Sequence, residues 1–268
     1  NNDAKNGFYY KEARTATVTI TEHNFRASEV SASMTASNNG SGIAAPSVNG
    51  WSSSGDNNVA TIAYNYDGDF TFGMTYEDLA GNPAVPYGED HFVVDLTDPQ
   101  VDIYDIIDKS ANNDVVAPGV TYSDTNYSEE GVTITLKGAN NGDYKLDGNK
   151  SSIANGYNLK LNDFPREKEV DDLYTMTAHV EDLSGRVAEK QVMFSVNRFG
   201  SNYSFSDTTK EFLDEVYSNS AKDLVITETN VDSLVFNGIS YSLDNKTTEL
   251  KQGTDYTVKE TGGEGSWK

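Results

Sequence analysis

This chain repeats itself about every hundred residues, and no other feature limits its folding choices as much. The segment Ile20-Thr21-Glu22-His23-Asn24-Phe25 runs apolar, hydroxyl, acid, variable, Asn, apolar. Tyr122-Ser123-Asp124-Thr125-Asn126-Tyr127 and Ile226-Thr227-Glu228-Thr229-Asn230-Val231 run the same way, so the acid recurs at intervals of 102 and 104 residues. A second marker, Glu77-Asp78-Leu79-Ala80-Gly81-Asn82, returns as Glu181-Asp182-Leu183-Ser184-Gly185-Arg186 at an interval of 104. Two independent markers sharing one period define a structural unit of about 100 residues, the size of a small β-sandwich.

Inside each unit the apolar residues alternate, as half-buried strands require. Ala16, Val18 and Ile20 face one way, and Thr15, Thr17, Thr19 and Thr21 the other. Val30, Ala32 and Met34 match Val132, Ile134 and Leu136; Phe70, Phe72, Met74 and Tyr76 match Tyr174, Met176, Ala178 and Val180; Phe92 and Val94 match Phe194 and Val196. A slip of one residue would turn each of these side chains into water, so the register is tightly specified. Turn chemistry separates the runs: Asp67-Gly68-Asp69 reads as a hairpin turn, and Asn38-Asn39-Gly40, Asn140-Asn141-Gly142 and Asp147-Gly148 as loops. Only Lys210–Tyr217 reads as helical.

The repeat places three domains at 1–97, 98–197 and 198–268. The linkers, Asp95-Leu96-Thr97-Asp98-Pro99 and Asn197-Arg198-Phe199-Gly200, are short, so the units are expected to lie end to end with limited freedom. Unit two opens with a strand over Val101–Ile106 whose counterpart in unit one falls near residue 0, so unit one is expected to lack most of its first strand. Unit three is expected to be truncated at its C-terminus, and strand exchange with another chain is one way to complete it. The fold class expected is all-β, with tandem sandwiches arranged end to end.

Composition narrows the function. A net charge of −22 repels nucleic acid and anionic membranes. No stretch approaches the roughly 20 apolar residues of a membrane span. The chain has no cysteine, which excludes thiol catalysis and zinc–thiolate sites.

At this point the residues resemble the bacterial immunoglobulin-like (Big-type) repeats of large Gram-positive, clostridia-type cell-surface proteins. Three features carry the likeness: the Thr-rich strand leading into Thr21-Glu22-His23-Asn24-Phe25, the Asp-Leu-Ala-Gly-Asn turn at 78–82, and the Asp-x-Thr-x-Pro junction at 95–99. It covers units one and two and is weaker in unit three, where Leu250–Val258 looks like a strand hairpin of such repeats. Unit two departs from the pattern at Arg186, where such repeats more often have Asn, and at its Val196-Asn197-Arg198-Phe199 junction, departures that weaken any shared metal site. The resemblance implies an extracellular spacer or adhesive module at a cell wall or cell surface.

Chemistry-bearing constellations are scarce. His23 stands where the sister units have Thr125 and Thr229, His179 where unit one has Thr75, and His91 where unit two has Met193, so each reads as a surface histidine. Asp171-Asp172 and Glu129-Glu130 read as turn residues. No catalytic, cofactor-binding or metal residue is assigned, and the chain reads as a non-enzyme. Calcium is the one cofactor left open, with Asp95, Asp98 and Glu77 or Asp78 the candidates at the first junction, because it accepts six to eight oxygen ligands in loose geometry. Tyr9, Tyr10, Tyr64, Tyr66 and Trp51 are the candidates for an aromatic binding face. The expected function is a non-catalytic stalk or adhesive segment of a secreted surface protein, monomeric, with an unknown surface glycan or protein as partner. The alternative is a carbohydrate- or host-protein-binding module accessory to a surface enzyme.

Overall fold

The computed structural model describes residues 3–200, 203–214, 217–229, 231 and 237–259, and the backbone of 262–263 and 266–267. The first unit contains β1 (Tyr9–Tyr10), β2 (Arg14–Thr21), β3 (Val30–Asn38), β4 (Ser41–Gly42), β5 (Asn49–Ser54), β6 (Asn57–Tyr64), β7 (Gly68–Tyr76) and β8 (Tyr87–Val94). One sheet runs β1-β8-β7-β3-β4 and the other β2-β6-β5. The second unit contains β9 (Gln100–Tyr104), β10 (Ser110–Asn112), β11 (Gly119–Ser123), β12 (Val132–Gly138), β13 (Gly142–Asp143), β14 (Gly148–Ile153), β15 (Gly156–Leu161), β16 (Asp172–Glu181) and β17 (Val187–Val196). Its sheets run β10-β17-β16-β12-β13 and β14-β15-β11-β9. The two units share one strand order, except that among the described residues the first has no strand in the place of β9.

Matching alternation yields matching register. Ala32, Met34 and Ala36 oppose Met74, Phe72 and Phe70 across β3 and β7. Ile134, Leu136 and Gly138 oppose Ala178, Met176 and Tyr174 across β12 and β16. The inward rows close two separate cores. The first gathers Ile62, Tyr64, Phe70, Phe72, Phe92 and Val94, and the second Val120, Leu136, Tyr174, Met176, Phe194 and Val196. Burying each large side chain contributes about 1.5–3 kcal/mol. The outward rows carry hydroxyls, and Thr35 meets Thr71 across the strands at 2.6 Å.

In each unit the first strand of the larger sheet lies parallel to the last: β1 beside β8, and β10 beside β17. In the first unit these are the first and last strands, so a pull between them loads that ladder in shear; in the second the chain enters through β9, in the other sheet, before it reaches β10.

The structure revises several local expectations. Asp67-Gly68-Asp69 is not a hairpin turn: β6 and β7 belong to different sheets, and the segment carries the chain from one to the other. The helix is α1, Asp207–Asp214, which starts earlier than periodicity suggests because Ser206 caps it, its Oγ accepting from the Thr209 amide at 3.2 Å. Three single-turn 3₁₀ helices at Ala27–Glu29, Glu129–Gly131 and Lys168–Val170 escape sequence reading. Beyond β17 the chain forms β18 (Tyr203–Phe205), β19 (Ile226–Glu228), β20 (Ser240–Leu243) and β21 (Lys246–Glu249). The hairpin there is β20–β21 rather than 250–258, because Asp244 and Asn245 both take left-handed φ, of 49° and 62°, which a two-residue hairpin loop needs. The described residues of this region enter neither core.

Candidate functional site

The site grows from a turn used twice. In Asp78-Leu79-Ala80-Gly81-Asn82 the Asp78 Oδ1 accepts the amides of Ala80 and Asn82, both at 2.8 Å, and Gly81 takes φ +84°. In Asp182-Leu183-Ser184-Gly185-Arg186 the Asp182 Oδ1 accepts the amides of Ser184 at 2.7 Å and Arg186 at 3.0 Å, and Gly185 takes φ +86°. Glycine is required at that conformation. The two turns differ at the second carboxylate oxygen. Asn82 donates its side-chain amide to Asp78 Oδ2 at 2.8 Å. Arg186 turns away instead, donating to the Lys11 carbonyl at 2.7 Å and pairing with Asp98 at 2.9 Å. Asp182 Oδ2 is left sealed from solvent with no hydrogen-bond partner, in a residue only 1 % exposed.

Two further carboxylates converge there. Asp95 follows β8 and is held by its own amide on the Tyr10 carbonyl at 2.8 Å. Asp124 follows β11, in the repeated segment at 122–127, and its Oδ1 accepts the Asn126 amide at 2.6 Å. Asp95, Asp124 and Asp182 each present an oxygen within 4.8 Å of the other two; Asp95 and Asp182 are buried at 2 % and 1 % exposure, and Asp124 is nearly so at 8 %. Burial, together with the charges of Asp124 and Asp182, pushes the Asp95 carboxyl up to about 6, against the relief of a hydrogen bond from Asn126. Burial likewise raises Asp124, helped by Asp182 and Asp67 and opposed by Arg186.

The sign of this shift makes a prediction. The folded state holds a proton on Asp95 more tightly than the unfolded chain does, so stability is lost as pH rises through about 6. In divalent-free buffer, lowering the pH from about 7 to about 5 should raise the melting temperature of the joined units. Asp95→Asn should be more stable than the parent at pH 7 and should lose this pH response. Differential scanning calorimetry at both pH values reads it.

The same residues sit at the joint between the units. Asn126 Nδ2 donates to Asp95 Oδ2 at 2.9 Å, Lys5 pairs with Glu181 at 2.5 Å and donates to the Asp182 carbonyl at 3.2 Å, and Arg186 bridges to Lys11. Lys5 holds the Glu181 carboxyl below the usual range. Asp67 latches the linker from behind, its Oδ1 accepting the Leu96 amide at 2.5 Å and its Oδ2 the Thr97 hydroxyl. The counterpart Asp171 does the same at the second junction, accepting the Arg198 and Phe199 amides at 2.7 and 2.6 Å. Sequence reading took Asp171 as a turn residue; its position immediately ahead of a core strand in both units is the signal that distinguishes it.

The other sequence candidates separate. Of the residues proposed around calcium, only Asp95 belongs to the cluster. Asp98 pairs with Arg186, and Asp78 is spent on its own turn. Asp124 and Asp182 come from the following unit, which a reading within one unit misses. The proposed aromatic face does not form a row. Tyr64 lies in the core, Tyr10, Tyr66 and Trp51 pack against it, and Trp51 belongs to β5, its ring 4.8 Å from Phe25. The side chain of Trp267 lies outside the described residues. His23, His91 and His179 stand apart, beside Asp56, Asp69 and Glu189 respectively.

No family model matches the chain, and no curated protein matches it. Among solved structures it is similar to a titin A168–A169 fragment at 14 % identity, covering 70 % of this chain and 92 % of that one with a TM-score of 0.35. It is similar to the titin immunoglobulin tandem A164–A165 at 12 % identity, covering 69 % and 89 % with a TM-score of 0.30. It is also similar to the Yersinia pseudotuberculosis adhesin InvE at 12 % identity, covering 97 % and 70 % with a TM-score of 0.33. Likenesses this distant say nothing of function. By its own strand order and paired cores, the chain is an all-β protein of tandem immunoglobulin-like sandwiches.

Proposed function

We propose that this chain is a non-catalytic stalk or adhesive segment of a bacterial cell-surface protein, related to Big-type repeats and working outside the cell. The observation that carries the reading is the bonded first joint. A linker of only five residues separates β8 from β9, and Asp67, Asn126, Lys5 and Arg186 tie it from both sides. A joint fastened this way transmits force and keeps reach, which a stalk needs and an isolated binding module does not. The parallel pairing of β1 with β8 and of β10 with β17 adds resistance to shear. The acidic, cysteine-free surface suits an extracellular protein that makes no disulfides. The burial of Tyr64 and the packing of Tyr66 and Trp51 against the core weigh against the rival reading as a sugar-stacking module.

Small-angle scattering on the full chain tests it. The parent should give one narrow distribution of end-to-end separations for the first two units. Asp67→Ala combined with Lys5→Ala should broaden it while both sandwiches stay folded by circular dichroism. A parent already as broad as a freely jointed pair would sink the stalk reading. Tight, selective capture of one sugar on a glycan array would favour the rival.

A further inference from the structure

We propose that Asp95, Asp124 and Asp182 form a calcium site that locks the first joint. Three observations converge. The three carboxylates come from two units and gather within 4.8 Å, in a place too buried for water to screen their repulsion. Asp182 Oδ2 is sealed and unpartnered, and a buried acceptor without a donor is costly unless something fills the role. The oxygen is free because position 186 carries Arg rather than the Asn that satisfies the matching oxygen of Asp78. Arg186, which looks from the sequence like a departure that spoils a metal site, is what leaves the ligand open.

The donors select the ion. They are all oxygen, with no cysteine in the chain and no histidine in the cluster, which suits a hard cation. Ligands on opposite sides of calcium lie about 4.6–5.2 Å apart, whereas magnesium draws them to about 4.0–4.2 Å. Three carboxylates gathered within 4.8 Å and fixed by a linker and two turns suit the loose oxygen shell calcium accepts, whereas magnesium asks for a near-ideal octahedron and keeps several of its waters. The other charged groups facing the cluster are Asp67, which adds to the negative field, and Arg186, whose guanidinium is engaged by Asp98 and the Lys11 carbonyl. Because one ligand opens the linker just after the last strand of the first unit and two belong to the following unit, the ion would bind the units to each other. The proposal goes beyond the stalk reading, since the ion can bind whatever the chain does, and the binding experiment reports on the site alone.

The experiment is calorimetric titration of calcium chloride into the full chain, stripped with chelator, at physiological ionic strength, paired with thermal unfolding. The expected result is one site with a dissociation constant of about 10⁻⁴–10⁻³ M and a melting temperature roughly 5–10 °C higher in saturating calcium than in chelator. Magnesium should bind at least about tenfold more weakly. Asp182→Asn should weaken calcium at least about tenfold, as should Asp124→Asn and Asp95→Asn, which keep the reading open if the first variant does not fold. Asp78→Asn, in the matching turn of the first unit, should bind like the parent. No heat and equal melting temperatures in calcium and chelator would overturn the proposal. So would calcium binding that survives all three substitutions, since the ion would then sit diffusely on the acidic surface.

Discussion

Asp172→Ala should lower the stability of the second sandwich by about 3–5 kcal/mol, the largest effect of any single charged residue in it. Asp172 is fully buried at the start of β16. Its two oxygens accept from the amides of Asn140 at 2.9 Å, Asn141 at 2.8 Å and Leu173 at 2.8 Å, and from the Asn140 side chain at 2.9 Å. The carboxylate thereby pins the loop between β12 and β13 to the opening of a core strand. Alanine leaves four donors facing a space with no acceptor, and each charge-assisted bond of this kind contributes about 1.5–3 kcal/mol in isolation, less when shared. For a unit of about 100 residues the melting transition should fall by some 15–25 °C. Asp172→Asn, which keeps one accepting oxygen, should fall between the two. A loss under about 1 kcal/mol by chemical denaturation would show that water or a rearranged loop takes over the donors.

Phe194→Ala should cost a similar amount, about 3–5 kcal/mol, by a different route. The ring is fully buried, 5.9 Å from Tyr174 and 6.1 Å from Phe164, in the most aromatic part of the second core. Its removal loses the transfer free energy of the ring and leaves a cavity that sandwich strands, fixed by ladders on both sides, cannot close. Phe194→Leu should recover most of the loss, because volume rather than aromaticity dominates at this site. The two cores share no residue, so the unfolding transition of the first unit should remain in the calorimetric trace while the second moves down. A single transition that shifts as one would mean that the joint couples the units more tightly than separate cores suggest.

Register was legible in the sequence because a period of two leaves no freedom. Phe72 and Met176 are buried opposite Met34 and Leu136, as alternation requires. The turn residues were harder. Asp67-Gly68-Asp69 has hairpin chemistry, yet it links two sheets, because local preference sets the bend and the core sets which strands it joins. The helix near residue 210 was visible only in part, since its start depends on the Ser206 cap and not on periodicity.

The candidate site shows the same division. Asp95 could be picked from the linker alone. Asp124 and Asp182 could not, since they lie 29 and 87 positions further on and each reads locally as an ordinary turn former. The sequence by itself determined the repeat and the facing of the core strands in the first two units, because apolar alternation and turn chemistry act over a few residues and recur in both. Only the tertiary structure decided which carboxylates meet at the joint and which of their oxygens go without a partner. Those outcomes depend on how one unit's end is docked on the next and on where Arg186 swings, and short-range preference carries no record of either.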